Sequence, residues 1–223
     1  MGIISLEQKD CLYWLGRYTE RVYSTLRLFS SHFDQLIDTD VYSYEAFCRR
    51  LEIPNIYESG WDFVERYCFD ENNPDSIYSN LMRAHDNAII LREEIGSESL
   101  AYIQLAVYEI QRAHGNKAPL IALQKVTDNI VAFWGMSDDS IDDWRVRSIL
   151  KTGRRVERVD IYARLKASKK ELKRAVARLD RRISEAQIAY NAETLEEIKK
   201  LVDSDTQPDF DLIVRKIESI LEV

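Results

Sequence analysis

Turn-forming residues are scarce in this chain. Seven glycines and four prolines are spread over 223 residues. That is too few for the many tight turns of a β-sandwich or barrel, and the shortage points to long helices. Long apolar runs are missing as well. The longest patches are of the size of "AIIL" at 88–91, far short of the roughly 18 apolar residues that a membrane-spanning helix needs. The opening "MGIISLEQKD" reaches charge at Glu7 and has no apolar centre, so no secretory signal is expected. Leu6 stands where a myristoylation signal wants Ser or Thr. Only three cysteines occur, Cys11, Cys48 and Cys68. An odd number at wide spacing suits reduced thiols in a cytoplasmic protein, not a disulfide framework or a zinc site.

Signatures of chemistry are equally sparse. No Glu is followed three residues later by His, so the di-iron bundle pattern is missing. His32, His85 and His114 are single and far apart, and no metal is expected. There is no glycine-rich phosphate loop, no His-Glu-x-x-His and no G-x-S-x-G elbow, and no cofactor is called for. Cys11 sits among Leu12, Tyr13 and Trp14, which favours a packed thiol over a nucleophile.

What is present is charge and helical periodicity. The net charge is −7 and very unevenly spread. Residues 145–182 hold 15 Lys or Arg against 4 Asp or Glu, a balance of +11. The remainder holds 16 against 34, a balance of −18. A basic helical segment is therefore set in an acidic body. It has too few aromatics to stack bases, and the acidic total disfavours nucleic acid. A solvated basic face is the plain reading, and docking on an acidic partner protein the alternative.

Ser5 and Gln8 form a capping box ahead of a helix over 6–37. Its stripe runs Leu12, Leu15, Thr19, Val22, Leu26, Phe29, Phe33 and Leu36. Further helices are expected near 43–51, 60–68, 73–94 (capped by Asn73 and ended by Gly96), 97–113 and 119–134. One then runs from "WGMSDDS" through Gln187, and short ones lie near 194–203 and 209–221. "DVYSYEAF", Trp61, Trp134 and Trp144 are expected in the core or at helix junctions. The expected architecture is all-α, a single helical bundle of about eight to nine helices over 1–223.

One pattern occurs twice. "GRYTERVYSTLRL" at 16–28 and "GRRVERVDIYARL" at 153–165 share GRxxERVxxxxRL without a gap. On a helical wheel Gly16, Glu20 and Arg27 share an edge of the apolar stripe, as do Gly153, Glu157 and Arg164. Each copy thus sets a carboxylate and guanidiniums beside the core, with a glycine that permits close approach. The expectation is a pseudo-twofold contact in which Glu20 pairs with arginines of the second copy and Glu157 with those of the first. Its two readings are a structural ion-pair lattice and a polar pocket for an anionic or peptide-like ligand. The candidate ligand-binding residues are Arg17, Glu20, Arg21, Arg27, Arg154, Glu157, Arg158 and Arg164.

These segments resemble the alpha-E family, a group of helical bacterial proteins. The resemblance rests on "LYWLGRYTERVYSTLRL" at 12–28, "FDENNPDSIYSNLMRAHDNAIILREEI" at 69–95, and "FWGMSDDSI" leading to the second motif over 133–165. It implies an all-helical fold and a genomic neighbourhood of ATP-grasp peptide-ligase-like proteins and transglutaminase-like proteases. It further implies a role in making or modifying peptides. The family's polar positions fall on Arg17, Glu20, Arg21, Asn73, Asn87, Arg92, Arg154, Glu157 and Arg158. Here His85-Asp86 replaces a usual Arg-Glu, and Ile89 replaces a usual Arg. The function expected is that of an accessory or binding partner in an ATP-grasp-linked peptide system, with a ligase-like protein and a peptide or small anion as partners. A purely structural scaffold, or an enzyme with Glu20 or Glu157 as general base, are the alternatives; whether the chain is an enzyme stays open.

Overall fold

A computed structural model describes residues 4–38, 44–116 and 119–221, and the side chains of all of these except 31–38, 119 and 120. The fold is all-α. In chain order the helices are α1 (Leu6–Asp38), α2 (Tyr44–Leu51), α3 (Gly60–Phe69), α4 (Ile77–Ile90) and α5 (Arg92–Ala113). They are followed by α6 (Pro119–Ser140), α7 (Trp144–Arg164), α8 (Lys169–Ile183), α9 (Ala192–Asp203) and α10 (Phe210–Glu218). The Ser5–Gln8 capping box opens α1, with the Gln8 amide donating to Ser5 Oγ at 3.1 Å and the Ser5 amide to Gln8 Oε1 at 2.8 Å.

Ten helices among the described residues exceed the eight or nine expected, because the helix carrying the second motif does not run on to Gln187. Lys166 turns left-handed at φ 53°, and Ser168 with Glu171 builds a fresh capping box that starts α8. Three other boundaries move. Helix α6 runs on through "WGMSDDS" to Ser140, so α7 starts at Trp144 behind its Asp143 cap and not in that stretch. Ser76, not Asn73, caps α4, while Asn73 folds a turn by accepting from the Asp75 amide at 3.0 Å. The break between α4 and α5 falls at Leu91, and Gly96 instead kinks α5 from inside at φ 79°.

The most extensive contacts join α1 to α7, α5 to α6 and α1 to α4. Helix α7 is covered on other sides by α8 and α10. Leu12, Leu15, Val22 and Phe29 of the α1 stripe are fully buried; Phe33 and Leu36 lie outside the described side chains. At the far end of α1, Phe29, Phe63 and Tyr67 stack on one another within 5.7 Å. Of the tryptophans expected in the core or at helix junctions, Trp134 is buried, while Trp61 and Trp144 stand at the starts of α3 and α7 and are exposed. In "DVYSYEAF", residues 40–43 lie outside the described residues, and Tyr44 and Phe47 pack on Phe63. No described helix is long and apolar enough to cross a membrane.

Candidate functional site

Helices α1 and α7 meet where each carries its motif glycine. A Cβ on Gly16 would collide with the Leu150 carbonyl oxygen, and one on Gly153 with the Tyr13 carbonyl oxygen. Each carbonyl lies three residues before the other copy's glycine, so the contact repeats under a local twofold. A helix-interior Gly costs about 1 kcal/mol relative to Ala. Here that cost is offset by bringing two backbones together.

The close approach carries the carboxylates across. Glu20 and Glu157 are both fully buried. Glu157 accepts from Arg17 Nε at 2.6 Å, and from Arg21 Nε at 2.5 Å and Nη2 at 3.2 Å. Glu20 accepts from Arg154 Nε at 3.0 Å, from Arg158 Nε at 2.6 Å and Nη2 at 2.9 Å, and from Ser24 Oγ at 2.8 Å. Each copy thus supplies one carboxylate to two guanidiniums of the other, and each second arginine engages both oxygens. A buried pair of this kind contributes little net stability but fixes helix register, since any slip leaves a charge uncompensated.

The two halves are completed by different residues. Tyr23 and Asp160 occupy the same place in the repeat. On the Glu20 side, the Arg154 guanidinium lies 3.3 Å from the Trp134 ring centroid, and Tyr23 packs edge-on against Trp134 at 4.8 Å. The aromatic faces stand where a second carboxylate would be. On the Glu157 side, Asp160 is 3.7 Å from Arg17 and 3.0 Å from Arg164. A cleft of about 520 Å³ opens on this side, where Trp14, Arg21, Asp75, Asn80, Asp160 and Arg164 contribute to its walls. The Arg21 side chain is one-third exposed there, and its Nη1 reaches Asn80 Oδ1 at 3.4 Å.

Electrostatics follow the same division. Burial pushes the Glu157 carboxyl up, but Arg21 and Arg17 outweigh it and hold it below the ordinary carboxylate range. Asp160 goes the other way. Burial first, and then the Glu157 charge, push it up to about 6 despite Arg164 and Arg17.

Six of the eight sequence candidates form the lattice. Arg27 and Arg164 stand outside it, in a relation that repeats between copies. Arg27 donates to the Tyr23 hydroxyl at 3.0 Å, and Arg164 to Asp160, each four residues back along its own helix. Arg164 also pairs with Glu52 at 2.6 Å and with Glu218. Of the middle segment, Asn73 donates to Tyr57 and Arg92 to Ser97 at the surface. Asn80 and Asp160 were not singled out in the sequence, and Trp134 only as a core or helix-junction residue. Asp160 had a signal, lying three residues past Glu157 on the same face; Asn80 and Trp134 reach the lattice only through packing of α4 and α6. The three cysteines are free, with Cys48 and Cys68 buried. Among the described residues no group of three His, Cys, Asp or Glu could hold a metal ion.

No curated protein and no solved structure matches the chain. A family model does, over residues 9–203, described as a predicted alpha-helical domain with a conserved ER motif. Glu20-Arg21 and Glu157-Arg158 are such pairs, and they are the centre of the α1–α7 contact. The matched span runs from the first turn of α1 to the end of α9 and covers most of the chain. The chain belongs to the alpha-E family.

Proposed function

We propose that this protein is a binding component of a peptide-forming or peptide-modifying system, and that the cleft over Glu157 holds its peptide-like ligand. The partner class, an ATP-grasp ligase-like protein, comes from the family resemblance. The cleft reading rests on one observation: a cleft of about 520 Å³ opens over the Glu157 half of the lattice. There, Arg21 is a third exposed and the carboxylates of Asp75 and Asp160 stand beside the guanidiniums of Arg21 and Arg164. A peptide terminus or amino acid carries an ammonium and a carboxylate, and this wall offers a partner to each. The lattice carboxylates act as positioning groups that hold the arginines.

A general-base role for Glu157 has little support. Such a base needs a free oxygen and a raised carboxylate pKa. Both Glu157 oxygens are taken by guanidiniums, and its pKa is shifted downward. The purely structural reading is favoured for the Glu20 half, whose two oxygens are engaged under a lid of Trp134 and Tyr23.

The test is thermal unfolding of wild type and Asp75→Asn against amino acids, di- and tripeptides and ATP. Asp75 lines the cleft without joining the lattice, so Asp75→Asn should unfold like wild type on its own. A ligand that raises the wild-type midpoint and loses most of that rise in the variant supports the cleft. If no compound shifts wild type, or if the variant responds in full, the cleft is not the site.

A further inference from the structure

We propose that the outward face of α8 is a docking surface for a short acidic segment of a partner protein. Lys170, Arg174, Arg178 and Arg181 recur at spacings of four, four and three. At about 100° and 1.5 Å per residue they fall within roughly 80° of arc and span about 16 Å. All four are exposed. Among the described residues Lys170, Arg174 and Arg178 have no hydrogen-bond or ion-pair partner, and Arg181 reaches only the Ala177 carbonyl of its own helix, at 3.3 Å.

The carboxylates on and around the helix are engaged elsewhere. Glu171 caps the helix start through Ser168, and Asp180 pairs with Lys199 at 3.3 Å. Glu185 pairs with Arg182 at 2.6 Å and Asp203 with Lys173 at 2.7 Å. These pairs lie toward α9 and the end of α8. The opposite edge leads to α7, where the stripe is extended rather than neutralised. Arg155 is half-buried there, with no partner among the described residues. Burial, followed by Arg154 and Arg158 and, more weakly, Arg178, lowers its guanidinium to about 10. Like charges three and four apart on a helix destabilise it. This helix carries three such pairs in succession, and none of the described residues forms an ion pair with them. A bound anion would.

The surroundings select the occupant. The stripe sits in the basic segment 145–182 of a chain that carries −18 outside that segment, so an extended polyanion that outruns the basic segment meets repulsion. No aromatic lies on this face to stack a base, and Ala177 is its one apolar residue, too small to anchor in a lipid surface. A short run of Asp and Glu matches the length and the sign of the stripe and little else. No α8 residue is among those that line the cleft over Glu157, so this proposal stands or falls separately from the cleft reading.

Fluorescence anisotropy with the full chain tests it, using a fluorescein-labelled oligoglutamate of about six residues, which spans the stripe when extended. Wild type should bind at low salt and more weakly at about 0.15 M. Arg174→Glu/Arg178→Glu should weaken binding by about tenfold or more. The milder Arg174→Gln/Arg178→Gln pair should act in the same direction, with helix content unchanged by circular dichroism. Arg112→Glu/Lys125→Glu, an equal charge change on α5 and α6, should leave binding near wild type. The proposal is overturned by no binding at low salt or by equal loss in both charge-reversed variants. It is equally overturned if a single-stranded oligonucleotide of matched charge or vesicles of anionic lipid bind more tightly than the peptide, or if α8 charge reversal abolishes a salt-sensitive self-association that excludes the peptide.

Discussion

Glu20 and Glu157 hold equivalent positions in two copies of one motif, yet their neighbourhoods are completed in different ways. Around Glu157, two carboxylates face Arg17 and Arg21, and the charges balance. Around Glu20, one carboxylate faces Arg154 and Arg158, and the rings of Trp134 and Tyr23 take up the surplus positive charge. The substitution that separates them is Tyr23 against Asp160. On one side aromatic rings cover the arginines; on the other a second carboxylate balances charge beside a cleft. One repeat thus clamps α1 to α7 under aromatic rings at one end and forms the wall of a cleft at the other.

The largest expected effect sharpens this contrast. Glu20→Gln and Glu157→Gln should each cost about 3–5 kcal/mol, the typical penalty for removing one partner of a buried pair. Glu20→Gln should cost more. Its two arginines have no other carboxylate among the described residues, whereas Arg17 keeps Asp160 at 3.7 Å. Urea unfolding at pH 7 measures both. A larger loss in Glu157→Gln would mean that Asp160 does not compensate.

A smaller effect should follow pH. The folded Asp160 carboxyl lies at about 6, above its ordinary value of 3.8, so folding favours its protonated form. Its contribution is present below pH 4 and is lost as pH rises through 6, by at most about 3 kcal/mol. Glu157, shifted downward, acts oppositely and in a lower window, losing its contribution as pH falls beneath the ordinary carboxylate range. Asp160→Asn should flatten the decline between pH 4 and 7 and leave the acid limb in place. An unchanged profile in that variant would remove Asp160 from the account.

Much of this architecture was legible in the sequence, and the limits have physical causes. The α1 stripe, the Ser5 cap and the repeated motif announce long amphipathic helices, because periodicity and capping are local. Two glycines at matching points in helices signal a close approach, because nothing else offsets their propensity cost. The start of α8 was missed because high helical propensity hid a capping box at Ser168, three residues after the motif ends. The asymmetry of the lattice was visible only in part. Tyr23 against Asp160 stands in the repeat itself, but Trp134 from α6 and Asn80 from α4 also shape it, and the spacing along α1 and α7 carries no sign of either. The exposure of Trp61 and Trp144 shows the same limit, since side-chain type alone does not tell which side of a helix start is covered.

The central claim is that each copy of the motif supplies the carboxylate for the other's arginines. Double-mutant cycles test it most directly, pairing Glu20→Gln with Arg158→Gln and Glu157→Gln with Arg21→Gln in equilibrium unfolding. The account predicts a coupling of about 1 kcal/mol or more in both cycles, and none in the crossed pair Glu20→Gln with Arg21→Gln. Additive losses in the first two cycles, or coupling of equal size in the crossed pair, would contradict it.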